Sequence, residues 1–393
     1  MPLVFVHGVA TRQTPEYRAQ AHQRDALFRQ LVLPEGAQVF DPDWGSEGVK
    51  FDPALPWMPE PDGAEAFAAS QAGAVGAAQI GIGRLATRHP DRAIDAAFEA
   101  GLATHVDSAI RTGNPTDALT AKDLEFFAAA VRYLEAGADN TAFDPLGSDA
   151  EFISALALEL KPHLSRKDPA AVAMGPAEDA LHWLGEGLND LVRPLRNATS
   201  DALLRIIRRP LTEQVAFFLG DVFVYLRTRE TDGDTNRIFA PIMADIAKAA
   251  RLRSPADPLI LVCHSFGAVI LYEFLSDQAA VAKIEADSGS DLNIDAWITV
   301  GAQPGLFADM GLYATVPRTA DGRLPRPEPV HAWLNVYDYT DVLAFSGEKI
   351  FEGVEDLRFD NVVGLFSAHT SYFQRPSFYQ RLRTRLNELR QNP

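Results

Sequence analysis

The chain has 393 residues, and its 47% of apolar residues can build a packed core, which excludes a disordered or collagen-like protein. Its 36 Lys and Arg residues against 53 Asp and Glu residues give a formal net charge of −17, which disfavours a nucleic-acid partner because the phosphates would be repelled. The only cysteine, Cys263, excludes an internal disulfide and a multi-cysteine zinc site.

The N-terminal residues form an apolar run that predicts a buried strand at 3–6, followed by the pair His7-Gly8. This run lacks the basic segment and the small-residue cleavage site of a secretory signal, so we expect a cytoplasmic protein. A second short strand is predicted at residues 38–40.

Residues 62–219 contain few strand signals and are rich in alanine, with helical patterns interrupted by prolines. We predict that they form a helical cap inserted into an α/β core made of residues 1–61 and 220–393. Inside this insertion, residues 191–209 combine five arginines with leucines and isoleucines. We interpret this basic segment as a cap helix with solvated arginines, and contact with an anionic membrane surface is the alternative.

Three further apolar runs predict strands at residues 259–263, 297–300 and 333–337. Between the predicted strands lie helical patterns, such as residues 238–250, whose isoleucines recur at spacings of four. Strands that alternate with helices predict an α/β fold, here a mostly parallel sheet flanked by helices, with the large helical cap inserted into it.

The strongest motif is Cys263-His264-Ser265-Phe266-Gly267, between a predicted buried strand and an apolar helix. It resembles the G-x-S-x-G nucleophile elbow of α/β-hydrolases, although Cys263 replaces the first glycine. Ser265 is the predicted nucleophile. The small residues two positions away, Cys263 and Gly267, leave room for its strained turn, and we expect His264 to shape the site as well. The N–H of Phe266 would face the developing oxyanion. The alternative is an ordinary buried serine in a turn.

In α/β-hydrolases the nucleophile is followed along the chain by the acid and then by the histidine. Two histidines follow Ser265 in this sequence. His331 begins a strand-like run, which favours a structural role, whereas His369 lies in the polar loop SAHTSYF beyond the last predicted strand. We therefore predict that His369 is the base.

Asp338 and Asp341 both follow the predicted strand 333–337, where the acid of such a site is expected. Asp341 is followed by Val342 and Leu343, and this context resembles that of the acid in lipase-like proteins. Asp341 is accordingly the preferred acid, with Asp338 as the alternative and Asp356 and Asp360 as more distant ones.

The loop after the first strand reads His7-Gly8-Val9 and is the predicted source of the second oxyanion donor. Gly8 allows the backbone to approach the site closely, and the Val9 N–H is the expected donor. His7 is expected to be a structural hydrogen-bonding residue that shapes the site. The alternative is a tight turn that merely ends the strand.

These motifs, in this order, resemble an α/β-hydrolase of the lipase and serine esterase type, nearest to the branch of GPI-inositol-deacylase-like and related bacterial hydrolases. The resemblance covers residues 2–40 and about 220–386, and it leaves 62–219 uncovered. The run ITVGAQP takes the place of a family T-x-G-S-P pattern, where Gln303 departs and would alter the acyl-side pocket.

The resemblance implies hydrolysis of a carboxylic ester through an acyl-enzyme, and the apolar cap favours lipid esters as substrates. An acyltransferase or thioesterase with the same triad is one alternative, and a catalytically dead binding protein with a hydrolase fold is another. No zinc-protease, P-loop or EF-hand motif occurs in the sequence, so we expect no cofactor and no metal.

Overall fold

The computed structural model describes residues 1–52, 54–58, 86–87, 89–137, 140–143, 149–164, 200–231, 236–313, 315–359 and 368–391. These residues form a six-stranded sheet with helices on both faces. All neighbouring strands pair in parallel, which confirms the predicted α/β class.

The sheet has the strand order β2-β1-β3-β4-β5-β6. Its strands are β1 (Leu3–Val6), β2 (Val39–Phe40), β3 (Ile260–His264), β4 (Ala296–Val300), β5 (Trp333–Asp338) and β6 (Val354–Phe359). The five strands predicted from apolar runs are all present. Strand β6 was not predicted, because its sequence VEDLRF is largely polar and it lies at the sheet edge, where several of its side chains stay partly exposed.

The described helices are α1 (Pro15–Leu31), α2 (Pro90–Thr112), α3 (Ala121–Glu135), α4 (Asp149–Leu160), α5 (Ser200–Thr231), α6 (Phe239–Ala250), α7 (Gly267–Leu275), α8 (Gln278–Ser288), α9 (Pro304–Asp309) and α10 (Pro376–Gln391). Local sequence signals explain where several of them begin. Thr14 accepts the N–H of Tyr17 at the start of α1, and Thr120 and Asp123 form a reciprocal capping box on α3.

Alternating strand residues divide the core between the two faces of the sheet. On one face, Leu3, Ile260 and Ile298 pack in a cluster with side chains from α1, α2, α3 and α10. On the other face, Val4, Leu261 and Trp297 pack with side chains from α5, α6 and α7. The strands are therefore covered on both sides, as their continuous apolar sequences require.

The described helices of the predicted insertion share a core with the sheet. Phe98 of α2 and Phe127 of α3 belong to the same buried cluster as Leu3 and Tyr379 of α10. This packing was not predicted, and the boundaries of the insertion stay a prediction.

Residues 191–199 of the basic segment lie outside the described residues, and residues 200–209 form the start of α5. Among the residues that the structure describes, no helix is long and apolar enough to cross a membrane.

Candidate active site

The order of the strands places two loops side by side. Strand β2 is added on one side of β1, and β3 and the later strands are added on the other side, so the strand order reverses between β1 and β3. The carboxyl ends of β1 and β3 therefore meet at a topological switch point, where ligands bind in open α/β sheets. The loop after β1, residues 7–12, is called the N-terminal loop below, and the loop after β3 carries Ser265.

Ser265 occupies a strained turn directly between β3 and α7. Its φ angle is +54°, in the left-handed region that residues with a side chain rarely adopt. Its N–H donates to the carbonyl of Val300 on β4 (2.9 Å), so the turn is tied to the sheet. The Ser265 side chain thus projects from the carboxyl edge of the sheet.

Two glycines, Gly8 and Gly267, leave room for this turn. A Cβ on Gly267 would lie 2.7 Å from the carbonyl oxygens of Val6 and His7, and a Cβ on Gly8 would lie 2.7 Å from the Cβ of Ser265. The N-terminal loop and the start of α7 can therefore approach each other only with glycine at both positions.

Cys263, where the elbow pattern has glycine, is buried one residue before the end of β3. Its sulfur accepts the indole N–H of Trp297 (3.1 Å), and burial raises the pKa of its thiol. The side chain therefore fills the core beneath the turn as a neutral thiol.

The structure brings Ser265, His369 and Asp341 into one chain of hydrogen bonds. Ser265 Oγ lies 3.0 Å from His369 Nε2, and His369 Nδ1 lies 2.9 Å from Asp341 Oδ2. In this geometry Nδ1 donates to the carboxylate, which leaves Nε2 free to accept the serine proton. The arrangement can remove a proton from Ser265.

Asp341 is held as a carboxylate despite its burial. Burial alone would raise its pKa, but hydrogen bonds from His369, from the Leu343 N–H (2.9 Å) and from the Tyr372 hydroxyl (2.9 Å) outweigh it and lower the pKa. The negative charge therefore persists beside the imidazole, where it can stabilise a protonated ring.

Asp338, the alternative acid, has different partners. Its Oδ2 accepts a hydrogen bond from Arg375 Nη1 (3.0 Å), and both side chains are completely buried. The other carboxylate oxygen accepts the N–H and the hydroxyl of Thr340, each at 2.8 Å. Of the two predicted acids, the structure places Asp341 against His369 and Asp338 in a buried ion pair.

The sequence analysis missed two residues on this side of the site. Tyr372 joins both aspartates, since its hydroxyl accepts the Asp338 N–H (2.9 Å) and donates to Asp341. Arg375 binds Asp338 and also the hydroxyl of Ser371, and it lies 3.4 Å from Glu99 of α2. Both follow His369 closely in the sequence, and that proximity was the available signal.

His264 supports the loop that carries His369. Its Nε2 lies 2.6 Å from the carbonyl oxygen of His369, a contact in which the imidazole must donate. Burial, reinforced by the neighbouring His369, lowers the pKa of His264 to about 3, so its ring is neutral at physiological pH. His264 therefore shapes the site through a backbone contact.

The N-terminal loop is held by a second histidine. His7 Nδ1 donates to the carbonyl oxygen of Gly8 (2.9 Å), its ring stacks on Trp44 at 5.0 Å, and the Trp44 indole N–H donates to the His7 carbonyl (2.8 Å). Burial lowers the pKa of His7, which keeps the ring neutral. The predicted structural role of His7 fits these contacts.

The two predicted oxyanion donors lie on the two loops that meet at the switch point. Within the part of the chain that the structure describes, neither the Val9 N–H nor the Phe266 N–H donates a hydrogen bond. Phe266 itself is buried and packs edge-on against Tyr225 and Phe307. Both donors can therefore serve an external acceptor.

Gln303, the departure from the family pattern, lies beside the nucleophile. Its amide nitrogen donates to the carbonyls of Leu343 (2.7 Å) and Gly301 (2.9 Å) and lies 3.4 Å from Ser265 Oγ. These bonds join the loop after β4 to the loop after β5. Gln303 thus borders the space around Ser265.

The remaining candidates lie away from these contacts. His331 is exposed before β5, with Nε2 3.2 Å from Asn293 Oδ1. Asp356 accepts from the Asn335 amide and from the Gly347 N–H, and Asp360 lies outside the described residues. Across the described ranges, no group of three His, Cys, Asp or Glu side chains could hold a metal ion.

Comparisons of the chain with models of known protein families, with curated proteins and with solved structures found no match. The function of the protein must therefore be inferred from the chemistry of this site.

Proposed function

We propose that the protein is a serine hydrolase that cleaves carboxylic esters, with an α/β-hydrolase core. The observation that carries the proposal is the hydrogen-bonded chain Ser265–His369–Asp341, built on a strained turn between a buried strand and a helix. A nucleophile, a base within 3.0 Å and a buried acid that orients the base are the three parts that acyl transfer requires.

The reaction has two halves. Ser265 Oγ attacks the ester carbonyl carbon while His369 Nε2 takes the hydroxyl proton, and the carbonyl oxygen becomes an oxyanion. The intermediate then expels the alcohol, which receives that proton from His369, and leaves an acyl group on Ser265. A water molecule repeats the attack on the acyl-enzyme with His369 as base, and the acid is released as Ser265 regains its proton.

Each remaining residue of the site has a role in this scheme. Asp341 fixes the ring orientation of His369 and stabilises the imidazolium that forms transiently. The N–H groups of Val9 and Phe266 stabilise the oxyanion, and the loss of one such donor typically costs roughly 100- to 1000-fold in rate.

A lipid ester is the proposed substrate class, on the basis of the apolar, alanine-rich composition of 62–219. A panel of esters with short and long acyl chains tests this preference, since a lipid esterase should favour the long chains. Vesicle binding by the chain with and without residues 191–209 tests contact with an anionic membrane.

The proposed function is tested with a fluorophosphonate, which reacts with an activated serine, and with mass spectrometry to locate the adduct. We expect a single adduct on Ser265 that is absent from Ser265→Ala and from His369→Ala. His331→Ala and Ser290→Ala are matched controls, because both residues are exposed and precede strands, at the opposite end of the sheet. A folded wild-type protein that stays unlabelled with and without detergent would contradict the proposal.

A further inference from the structure

Asp221 lies in the middle of α5 and reaches the N-terminal loop. Its side chain is completely buried, and its carboxylate accepts four hydrogen bonds. Oδ2 accepts the Ala10 N–H (2.8 Å) and Arg12 Nη1 (3.0 Å), and Oδ1 accepts Arg12 Nη2 (2.7 Å) and the Val49 N–H (2.7 Å). One carboxylate therefore ties a helix to two separate loops.

The backbones around this carboxylate are packed as closely as glycine allows. A Cβ on Gly48 would lie 2.3 Å from Asp221 Oδ1, and a Cβ on Gly220 would lie 2.6 Å from the side chain of Val49. Helix α5 and residues 48–49 therefore form a tight base beneath the N-terminal loop.

Asp221 holds the N-terminal loop in a costly conformation. Ala10 has a φ angle of +58°, a left-handed conformation that costs an alanine about 1–2 kcal/mol. Its N–H points at Asp221, so the buried carboxylate compensates for this strain. Without this acceptor the loop would relax toward ordinary backbone angles.

Val9 lies between two residues whose backbones are held in place, so the hydrogen bond from Ala10 to Asp221 also affects the direction of the Val9 N–H. Gly8 lies against Ser265, and its carbonyl is held by His7. In a trans peptide the N–H points opposite to the preceding C=O, so His7 orients the Val9 N–H from one side. Asp221 fixes Ala10 on the other side.

We infer that Asp221 is a positioning residue that aims the Val9 N–H at the oxyanion through its bonds to Ala10 and Arg12. This inference rests on the proposed function. It assigns α5 a part in the reaction, since a side chain 44 positions before Ser265 then determines the geometry of an oxyanion donor. Asp221 does not itself touch the reacting atoms.

The test compares Asp221→Asn with Asp295→Asn. Asp295 is a matched control, since it also binds an arginine through both oxygens (Arg253, 2.8 and 2.9 Å) and accepts a backbone N–H (Leu259, 2.7 Å). It lies before β4, at the end of the sheet remote from Ser265. The double variant Asp221→Leu/Arg12→Met removes the charge pair without leaving a charge unpaired.

Three measurements separate positioning from simple loss of stability. They are kcat and KM for a short soluble ester as a function of pH, the inhibition constant of an alkylboronic acid, which forms a tetrahedral adduct with the serine, and hydrogen exchange of residues 7–12. For the Asp221 variants we expect kcat to fall by roughly 100-fold and the inhibition constant of the boronic acid to rise by roughly 100-fold, as for a lost oxyanion donor. The pH profile should keep its shape, and exchange of residues 7–12 should accelerate.

Each failure has a separate meaning. If the wild type is labelled at Ser265 but both Asp221 variants keep its kcat and its boronate affinity, the inference is wrong and the proposed function stands. A shifted pH profile or an equal effect in Asp295→Asn would also overturn it. If the folded wild type neither turns over esters nor reacts with the fluorophosphonate, the proposed function fails, and this inference with it.

Discussion

The two sides of Ser265 are held in place by different interactions. On one side, Asp341 and His369 are fixed by a buried polar network whose members, Asp338, Tyr372 and Arg375, come from the end of β5 and the segment after His369. We call these five residues the acid–base side. On the other side, the N-terminal loop is fixed by the Trp44 stack and by one carboxylate from the distant helix α5.

Under the proposed function, the two sides of Ser265 have different tasks. The acid–base side has to keep the Asp341 carboxylate charged and to orient the His369 ring, so its supports include hydrogen bonds that lower the pKa of Asp341. The N-terminal loop has only to aim an N–H group, and its supports, the Trp44 stack and the Asp221–Arg12 ion pair, fix the path of its backbone. Changes to the partners of Asp341 should therefore alter the pH dependence, whereas changes at Asp221 should lower the rate and loosen the N-terminal loop without shifting the pH dependence.

The largest loss of activity is expected from Asp341→Asn, on the acid–base side. The amide cannot orient His369 as the carboxylate does, and kcat should fall by about 10,000-fold, as when a triad aspartate is replaced by asparagine. Turnover of a soluble ester measures the loss, and circular dichroism checks that the fold is retained.

Asp338→Asn is the matched control for this variant, because Asp338 is equally buried and only three positions away. Its partner is Arg375 instead of His369, so the folded variant should keep kcat within about tenfold of the wild type while losing stability. A 10,000-fold loss in Asp338→Asn together with an active Asp341→Asn would reverse the assignment of the two acids.

The next largest effect is expected from Arg375→Met. The change removes the guanidinium that binds the buried carboxylate of Asp338, and breaking a buried pair costs about 3–5 kcal/mol. Urea unfolding measures the change in the free energy of unfolding. Arg253→Met breaks a partly exposed pair with Asp295 and should cost no more than about 1 kcal/mol. Equal costs for the two variants would contradict the importance assigned to burial.

Local patterns allowed much of the fold and the core of the site to be predicted. Continuous apolar runs identify strands that are buried on both faces, and the elbow around Ser265 combines strand, turn and helix within a few residues. Asp341 and His369 could be selected because their order along the chain and the context of Asp341 resemble those of α/β-hydrolases, with His369 in a loop beyond the last predicted strand.

The supports of the site could not be predicted, because their partners are remote in sequence. Asp221 and Arg12 are 209 positions apart, and Arg375 and Asp338 are 37 apart, so no local pattern links either pair. Strand β6 was missed for another reason, since its sequence is largely polar and its pairing with β5 cannot be read from the sequence. These ion pairs and this strand pairing join residues that are remote in sequence, so they could be identified only from the three-dimensional structure.

A pH-dependent effect on stability is expected at Asp95, which binds the N–H (3.0 Å) and the hydroxyl of Ser377 at the start of α10. Burial raises the pKa of Asp95 to about 7, well above that of an unfolded aspartate. The folded state therefore favours the protonated carboxyl, and this contribution is present at low pH and disappears as the pH rises from about 4 through 7.

Asp95→Asn imitates the protonated carboxyl at every pH. It should match the wild type near pH 4 and exceed its free energy of unfolding by about 4 kcal/mol at pH 8, because folding raises the pKa of Asp95 from the ordinary 3.8 to about 7. Urea unfolding across this pH range measures the difference. A parallel loss of stability at both pH values would mean that the charged carboxylate stabilises the fold.

The smallest effect on the rate is expected from Tyr372→Phe, which also tests most directly how the two sides of Ser265 differ. Tyr372→Phe removes one hydroxyl, which donates to the same Asp341 oxygen that His369 binds. A lost hydrogen bond to a carboxylate corresponds to roughly 1.5 kcal/mol, or about tenfold in kcat/KM. Tyr372 is also one of the donors that lower the pKa of Asp341. Its removal should raise that pKa and move the acid limb of kcat/KM to higher pH.

Tyr379→Phe is the matched control for Tyr372→Phe, because Tyr379 is a buried tyrosine of the same C-terminal segment whose hydroxyl donates to the Phe373 carbonyl (2.9 Å). It should lose stability by a similar amount without moving the acid limb. If Tyr372→Phe lowers the rate and leaves the pH profile in place, it behaves as the Asp221 variants are expected to. The acid–base side would then be held by geometry alone, and the distinction between the two sides of Ser265 would fail.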